Sequence, residues 1–355
     1  MCAWRRPRAP GATVPGMSDT TNRVRVALLF PGQGAQRPGM AVGLYRAAPD
    51  FRRHVDEVFT LWGPEGAAIR ADWLADDPAI LLDDMRRSQP LLFAVGWGLG
   101  RTLLDRGVQP MALLGHSVGE VVAATLAGVL GLADAVRVLR DRLAHLAEAP
   151  PGGMLAVAAT VDQVRFSLGG GVVIGAVNGP RQLLLAGPEG PLARSARLLR
   201  DAGITCQPAR STVAFHSPAV AVQAARAEPL LRSMPLRAPL LPVYSCYTGS
   251  PLTAAVATDP AYWIRQPAAP VYFATALDAV CAAGPDVLLE AGAPHGLTAL
   301  ARRHPAVRRG ACTVRSALPA RAGGRDSDLA AFTEALSAVA QPVSRTPRPA
   351  LEPRM

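Results

Sequence analysis

No uninterrupted apolar run in this 355-residue chain is long enough to cross a bilayer. The N-terminus carries arginines but lacks the apolar stretch of roughly 7–15 residues that leads a secretory segment to its cleavage site. These absences argue against membrane insertion and against export. The cysteines, Cys2, Cys206, Cys246, Cys281 and Cys312, are odd in number and scattered, with no C-x-x-C pair. That excludes a disulfide framework and a cysteine zinc site, and fits a reducing cytoplasm. No internal repeat is present. Charged residues are only 18% and apolar residues 50%, which excludes a disordered or fibrous chain and leaves a packed globule.

The length suffices for one large core or for a core with an inserted second unit. The formal charge is +10 and its basic residues are arginines, so the surface should attract an acidic partner. Much of the excess lies in Pro-rich ends, at Arg5, Arg6 and Arg8 and again at Arg345, Arg348 and Arg354. A nucleic-acid groove is therefore not expected. Residues 1–22 and 341–355 have no periodic apolar pattern and read as a disordered arm and tail, with Met17 an alternative start.

The folded part opens with a short apolar run, Val24 to Phe30, that breaks at Pro31-Gly32 and is followed by Gly34: a buried strand and a tight turn. A second run, Met111 to Leu114, passes through Gly115-His116-Ser117-Val118-Gly119-Glu120 into an Ala/Val/Leu-rich stretch, giving strand, sharp turn and helix. Alternation of this kind predicts an α/β fold with a mainly parallel sheet covered on both faces. Between Gly153 and Arg210 the order becomes strand, helix, strand, strand, helix, strand. That is the ferredoxin-like pattern. It predicts a small subdomain over 152–216 inserted into a larger unit formed by 23–151 and 217–340, with PVYSCYT and VLLEAG as further strands of the latter.

The G-x-S-x-G at 115–119 is a nucleophile-elbow pattern. Glycines flank a serine on a strained turn that lifts its Oγ to the top of a sheet, and the following helix offers free N–H groups and a positive dipole end to an oxyanion. The bland alternative is a Gly-rich turn whose serine only caps the helix. A nucleophilic serine needs a base. Of His54, His116, His145, His216, His295 and His304, His216 stands out in Val213-Ala214-Phe215-His216-Ser217-Pro218, just after the inserted unit. Spacing alone leaves it between base and packing residue. His116 reads as structural, because neighbours on a turn point in different directions.

Four segments in order, FPGQGAQRPGM (30–40), GHSVGE (115–120), AVNGPRQLLLAG (176–187) and VAFHSP (213–218), resemble the signatures of the malonyl-CoA:acyl carrier protein transacylase family, including polyketide synthase acyltransferase domains. The resemblance spans roughly residues 24–317. It implies an α/β-hydrolase-like large subdomain with an inserted ferredoxin-like one, Ser117 as nucleophile and His216 as general base. It further implies an oxyanion hole from the backbone N–H groups of Gln33 and Val118, and a main-chain carbonyl, that of Gln266 in RQPAAPV, orienting the imidazole. Counting without gaps along the two helices after Ser117 puts the family's carboxylate-binding arginine at Arg142. At 3.6 residues per turn Arg142 also shares the apolar stripe of Ala135, Val138 and Leu146, where a guanidinium wants an anion. A structural ion pair is the alternative there.

Two departures bear on the acyl group. Leu143-Ala144-His145-Leu146 replaces the small residue and Met-Gln pair usual after the arginine, and VAFH differs in its first residue from the HAFH of malonyl-selective domains. The implied reaction carries malonyl, or a related dicarboxylic acyl group, from coenzyme A through an acyl-serine to an acidic acyl carrier protein, in polyketide or fatty acid biosynthesis. No metal or redox cofactor is implied, the coenzyme A thioester being a substrate, and a monomer is the default. Alternatives are transfer of a larger acyl or aminoacyl group between two carrier proteins, a thioesterase using the same dyad, and a non-enzymatic scaffold.

Overall fold

The first apolar run forms β1 (Val26–Phe30), buried along its whole length. It pairs in parallel with β2 (Pro110–Gly115) on one side and with β9 (Val287–Glu290) on the other. Strands covered on both faces need apolar residues at every position, and these three nearly comply. Outside them lie β10 (Thr313–Ser316), parallel to β9, and β7 (Val243–Ser245), parallel to β2, while β8 (Ser250–Pro251) folds back antiparallel to β7. The six-stranded order is β10-β9-β1-β2-β7-β8. The computed structural model describes residues 23–292, 296–321 and 324–340. The expected disordered arm and tail, the alternative start at Met17, and His295 lie outside those residues.

Between β2 and β7 the chain forms a second, antiparallel sheet from β3 (Gly152–Val157), β4 (Val173–Gly179), β5 (Gln182–Pro188) and β6 (Cys206–Pro208), in the order β4-β5-β3-β6. Helices Val161–Val164 and Glu189–Asp201 complete the β-α-β-β-α-β sequence. This unit has its own core of Leu155, Val157, Val164, Leu183, Leu185 and Leu199. The first of these helices tightens into a 3-10 turn at Arg165–Ser167. PVYSCYT yields a strand only over Val243–Ser245, because the residues after it turn back on Ser245.

The large core gathers Phe30, Phe51, Phe93, Trp263 and the apolar faces of helices Met85–Asp105 and Leu132–Leu146. A separate cluster of Leu146, Met154, Ala186, Val213, Phe215 and Val220 seals the seam between that last helix and the small sheet. A bridge between β4 and the large unit, Ala176 to Val271, adds bonds from Val177 N to Val271 O at 2.8 Å and from Val271 N to Gly175 O at 2.9 Å. The seam therefore lies over the carboxyl ends of β1, β2 and β7, where open α/β sheets receive ligands. Among the described residues no helix is long and apolar enough to cross a membrane.

The helix Val118–Leu126 lies so close to β1 that a Cβ on Gly119 would stand 2.0 Å from the Phe30 carbonyl oxygen. Gly119→Ala must push helix and strand apart, at roughly 1–3 kcal/mol for such overpacking. Urea denaturation should show a lower midpoint at unchanged m-value. Gly190→Ala, in open space on the Glu189–Asp201 helix, should lose nothing. Equal midpoints for Gly119→Ala and the native protein would contradict the close approach.

Candidate active site

Ser117 sits between β2 and its helix with φ 55° and ψ −120°, a left-handed conformation rare for a side-chain-bearing residue. The turn leaves no alternative to glycine on either side. A Cβ on Gly115 would meet the Glu120 nitrogen at 2.2 Å, as one on Gly119 would meet β1. In this strained turn Ser117 Oγ lies 2.9 Å from His216 Nε2. Among the described residues neither the Gln33 nor the Val118 main-chain N–H donates to a protein acceptor. Val118 N–H is left over because the next two amides already turn back, Gly119 to His116 O and Glu120 to Ser117 O.

His216 is buried, at φ 62°, and its own N–H is fixed to Pro267 O at 2.7 Å. Its Nδ1 bonds the carbonyl of Ala269 at 3.0 Å. A carbonyl can only accept, so Nδ1 carries the proton and the lone pair of Nε2 faces Ser117. The expected orienting carbonyl was that of Gln266. The hydrogen bond goes instead to Ala269, three residues further on, and the Gln266 main chain favours the ring's charged form only as a lesser influence. Burial, helped by nearby His116, lowers the His216 pKa to about 4, against the pull of these carbonyls. His116 itself bonds Asn178 Oδ1 at 2.9 Å and packs on Phe273 at 5.7 Å.

Arg142 falls on the buried face of its helix with Ala135, Val138 and Leu146, while Arg137 and Arg140 point to solvent. Its guanidinium donates to two neutral acceptors, Gln266 Oε1 at 3.2 Å and the Trp263 carbonyl at 2.5 Å, and its Nε has no partner. No carboxylate pairs with it among the described residues. The other buried arginine, Arg87, shows what pairing looks like here: its Nε lies 2.6 Å from Asp72. Burial lowers the Arg142 pKa to about 10, which still leaves the group charged at neutral pH.

Three features escaped the sequence. Glu120 is fully buried and accepts from the Tyr262 hydroxyl, from Cys246 N–H at 2.9 Å and from Gln266 Nε2 at 3.4 Å. Burial raises its pKa to about 7. Tyr247 and Gln89 stand in the walls around Ser117. Gln89 donates to Gln33 Oε1 at 3.0 Å, tying that loop to the Met85–Asp105 helix. Tyr247 lay in a segment read only as a strand and Glu120 at the end of the elbow motif, and neither pattern shows which distant side chains they meet.

Ser117 separates two spaces. An inner cavity of about 20 Å³ reaches Arg142 past Leu139, Tyr247 and Gln266. An outer cleft of about 70 Å³ between the two subdomains is lined by Gln33, His116, Met154, Leu184 and Ser211. Ser117, Gln89, Phe215 and His216 border both. No three metal-binding side chains converge among the described residues. The arrangement can activate a hydroxyl, receive an oxyanion and hold an anionic group in the cavity that Ser117 borders.

The model of the acyl transferase domain matches residues 27–336. Over 284 residues the chain is 41% identical to a phenolphthiocerol/phthiocerol polyketide synthase protein of Mycobacterium tuberculosis, covering 79% of this chain and 19% of that protein. It thus spans about a fifth of the length of this relative. The acyltransferase domain of SpnD, solved with 2-(pent-4-yn-1-yl)malonyl, superposes with a TM-score of 0.82 at 31% identity, over 93% of this chain and 79% of that one. A malonyl-CoA:acyl carrier protein transacylase from Xanthomonas oryzae superposes with a TM-score of 0.78 at 25% identity, over 90% and 100%.

The state of His216 sets a pH profile. With a folded pKa near 4 the ring is neutral, and Nε2 free to accept, at any higher pH. Acylation of Ser117 by a neutral ester such as p-nitrophenyl acetate should show an acid limb only as pH falls toward about 4, read by intact mass in protein whose circular dichroism is unchanged. An acid limb centred near the ordinary histidine value, about 6.5, would contradict the burial argument.

Proposed function

The chain belongs to the acyl transferase domain family, and on that footing we propose that it moves a malonyl or related dicarboxylic acyl group from coenzyme A to the phosphopantetheine thiol of an acyl carrier protein, in polyketide assembly. The observation that carries the reading is Arg142, a buried cation without a carboxylate partner in the cavity that also contains Ser117 and His216. An acyl group bearing its own carboxylate supplies the missing charge.

In the first half-reaction His216 Nε2 takes the proton of Ser117 as Oγ attacks the thioester carbonyl, and the Ala269 carbonyl steadies the imidazolium. The oxyanion is received by the N–H groups of Gln33 and Val118. Collapse expels the coenzyme A thiolate, which leaves with the proton from His216, and the acyl group stays on Ser117 with its carboxylate toward Arg142. In the second half-reaction the carrier's thiol enters by the outer cleft, gives its proton to His216 and attacks the ester; collapse breaks the acyl–Oγ bond, leaves the acyl group as a thioester on the carrier, and His216 returns the proton to Ser117. The small inner cavity supports a short acyl group over a bulky one. The net charge of +10 suits an acidic carrier.

Malonyl-CoA alone should add one malonyl mass to the protein, on the peptide containing Ser117, and holo carrier protein added afterwards should remove it and gain it. Intact mass spectrometry of both proteins reads the two steps. Labelling undiminished in Ser117→Ala would overturn the nucleophile, and loss of the label to water at the same rate with and without the carrier would turn the reading into that of a hydrolase.

A further inference from the structure

The inner cavity has a wall that the reaction as described does not use. Tyr247 stands two residues after the end of β7, in a turn held by several hydrogen bonds. Ser245 Oγ accepts its N–H at 2.9 Å and that of Thr248 at 3.2 Å, and the Ser245 carbonyl accepts Gly249 N–H at 2.9 Å. The preceding amide, Cys246 N–H, is fixed to the buried Glu120. Tyr262 braces the same turn, with its hydroxyl 2.6 Å from Ser245 Oγ and its ring edge-on to Tyr247 at 6.2 Å.

This rigid turn delivers the Tyr247 ring into the space between the two points that fix the acyl group. Its ring centre is 6.0 Å from that of His216, and it lines one cavity with Ser117 and Arg142. Burial pushes the phenol well above its ordinary pKa, so it stays neutral beside the arginine. An acyl group tethered at Ser117 and anchored at Arg142 has its middle carbon against this wall. The cavity is narrow, about 20 Å³ before any acyl group enters, so its walls must fit such a group closely, and a hydrogen on that carbon is accommodated more readily than a methyl group.

We propose that Tyr247 is a specificity-determining residue that restricts the site to unbranched malonyl-type acyl groups, by excluding α-substituents from the space between Ser117 and Arg142. The inference rests on the dicarboxylic acyl-CoA reading above. Rejection of one extra carbon by a packed wall is worth about 10-fold or more.

The test is competition between malonyl-CoA and methylmalonyl-CoA for Ser117, scored by intact mass of the full chain after a single short incubation. The native protein should prefer malonyl by about 10-fold or more, Tyr247→Val should lose most of that preference, and Tyr247→Phe, which keeps the ring, should retain it. Equal labelling of the native protein by both substrates overturns the proposal, and that measurement needs no variant to fold. An unchanged ratio in a folded Tyr247→Val, or a ratio lost in Tyr247→Phe, overturns it too. Failure of the native protein to take either acyl group overturns the acyl-CoA reading and this inference with it, whereas malonyl labelling with an unmoved ratio overturns the inference alone.

Discussion

Where the Val118–Leu126 helix meets the ends of β1 and β2, backbone approaches backbone too closely for any side chain on Gly115 or Gly119. That contact forces Ser117 into its left-handed turn, which aims Oγ away from the sheet and leaves the Val118 N–H unspent. The same contact sets the end of β1, and hence the loop that brings Gln33 to the outer cleft. The second half of the dyad depends on a different joint. The bridge from β4 to Val271 holds the turn whose carbonyls fix both the main chain and the ring of His216. The Ser117–His216 hydrogen bond thus depends on the small subdomain being seated on the large one.

Charge is distributed around this pair in an uneven way. Burying a guanidinium without a paired counterion costs several kcal/mol in general, and its direct partners here are the neutral Gln266 amide and Trp263 carbonyl, with Asp141 and Glu120 acting on it from a distance. A carboxylate does stand nearby, on Glu120, but the Tyr262 hydroxyl, the Cys246 amide and the Gln266 side chain occupy it. Gln266 lies between acid and base, accepting from Arg142 and donating to Glu120. The separation preserves a cation with unfilled capacity in the cavity that Ser117 opens into. Arg87, by contrast, has its counterion in Asp72.

The elbow was legible in the sequence because its chemistry is local: two glycines, a serine, a strand before and a helix after. The ferredoxin-like unit was legible from element order, and the burial of Arg142 from its place on an apolar stripe, while a carboxylate-binding role for it was only what the family resemblance implied. The Ala269 carbonyl was not. The segment after Arg265 coils, with Ala269 N–H turned to Arg265 O at 2.9 Å and Gln266 O at 3.3 Å, so which carbonyl faces outward depends on backbone angles and not on residue type. Glu120 and Tyr247 were hidden for another reason. Glu120 meets Cys246 and Tyr262 across 126 and 142 residues of chain, and no local pattern marks a pairing made by tertiary packing alone.

Substrate choice in this site turns on whether Arg142 reads a carboxylate. Its removal would strand a substrate anion in a largely dry cavity, at about 3–5 kcal/mol for a broken buried pair, whereas an acetyl group has no anion to strand. The decisive quantity is the ratio of kcat/KM for malonyl-CoA to that for acetyl-CoA, measured for Ser117 acylation in the native protein and in Arg142→Ala. The ratio should fall by roughly two to four orders of magnitude, with acetyl transfer nearly unchanged. A ratio left where it was by the substitution would contradict this role for Arg142.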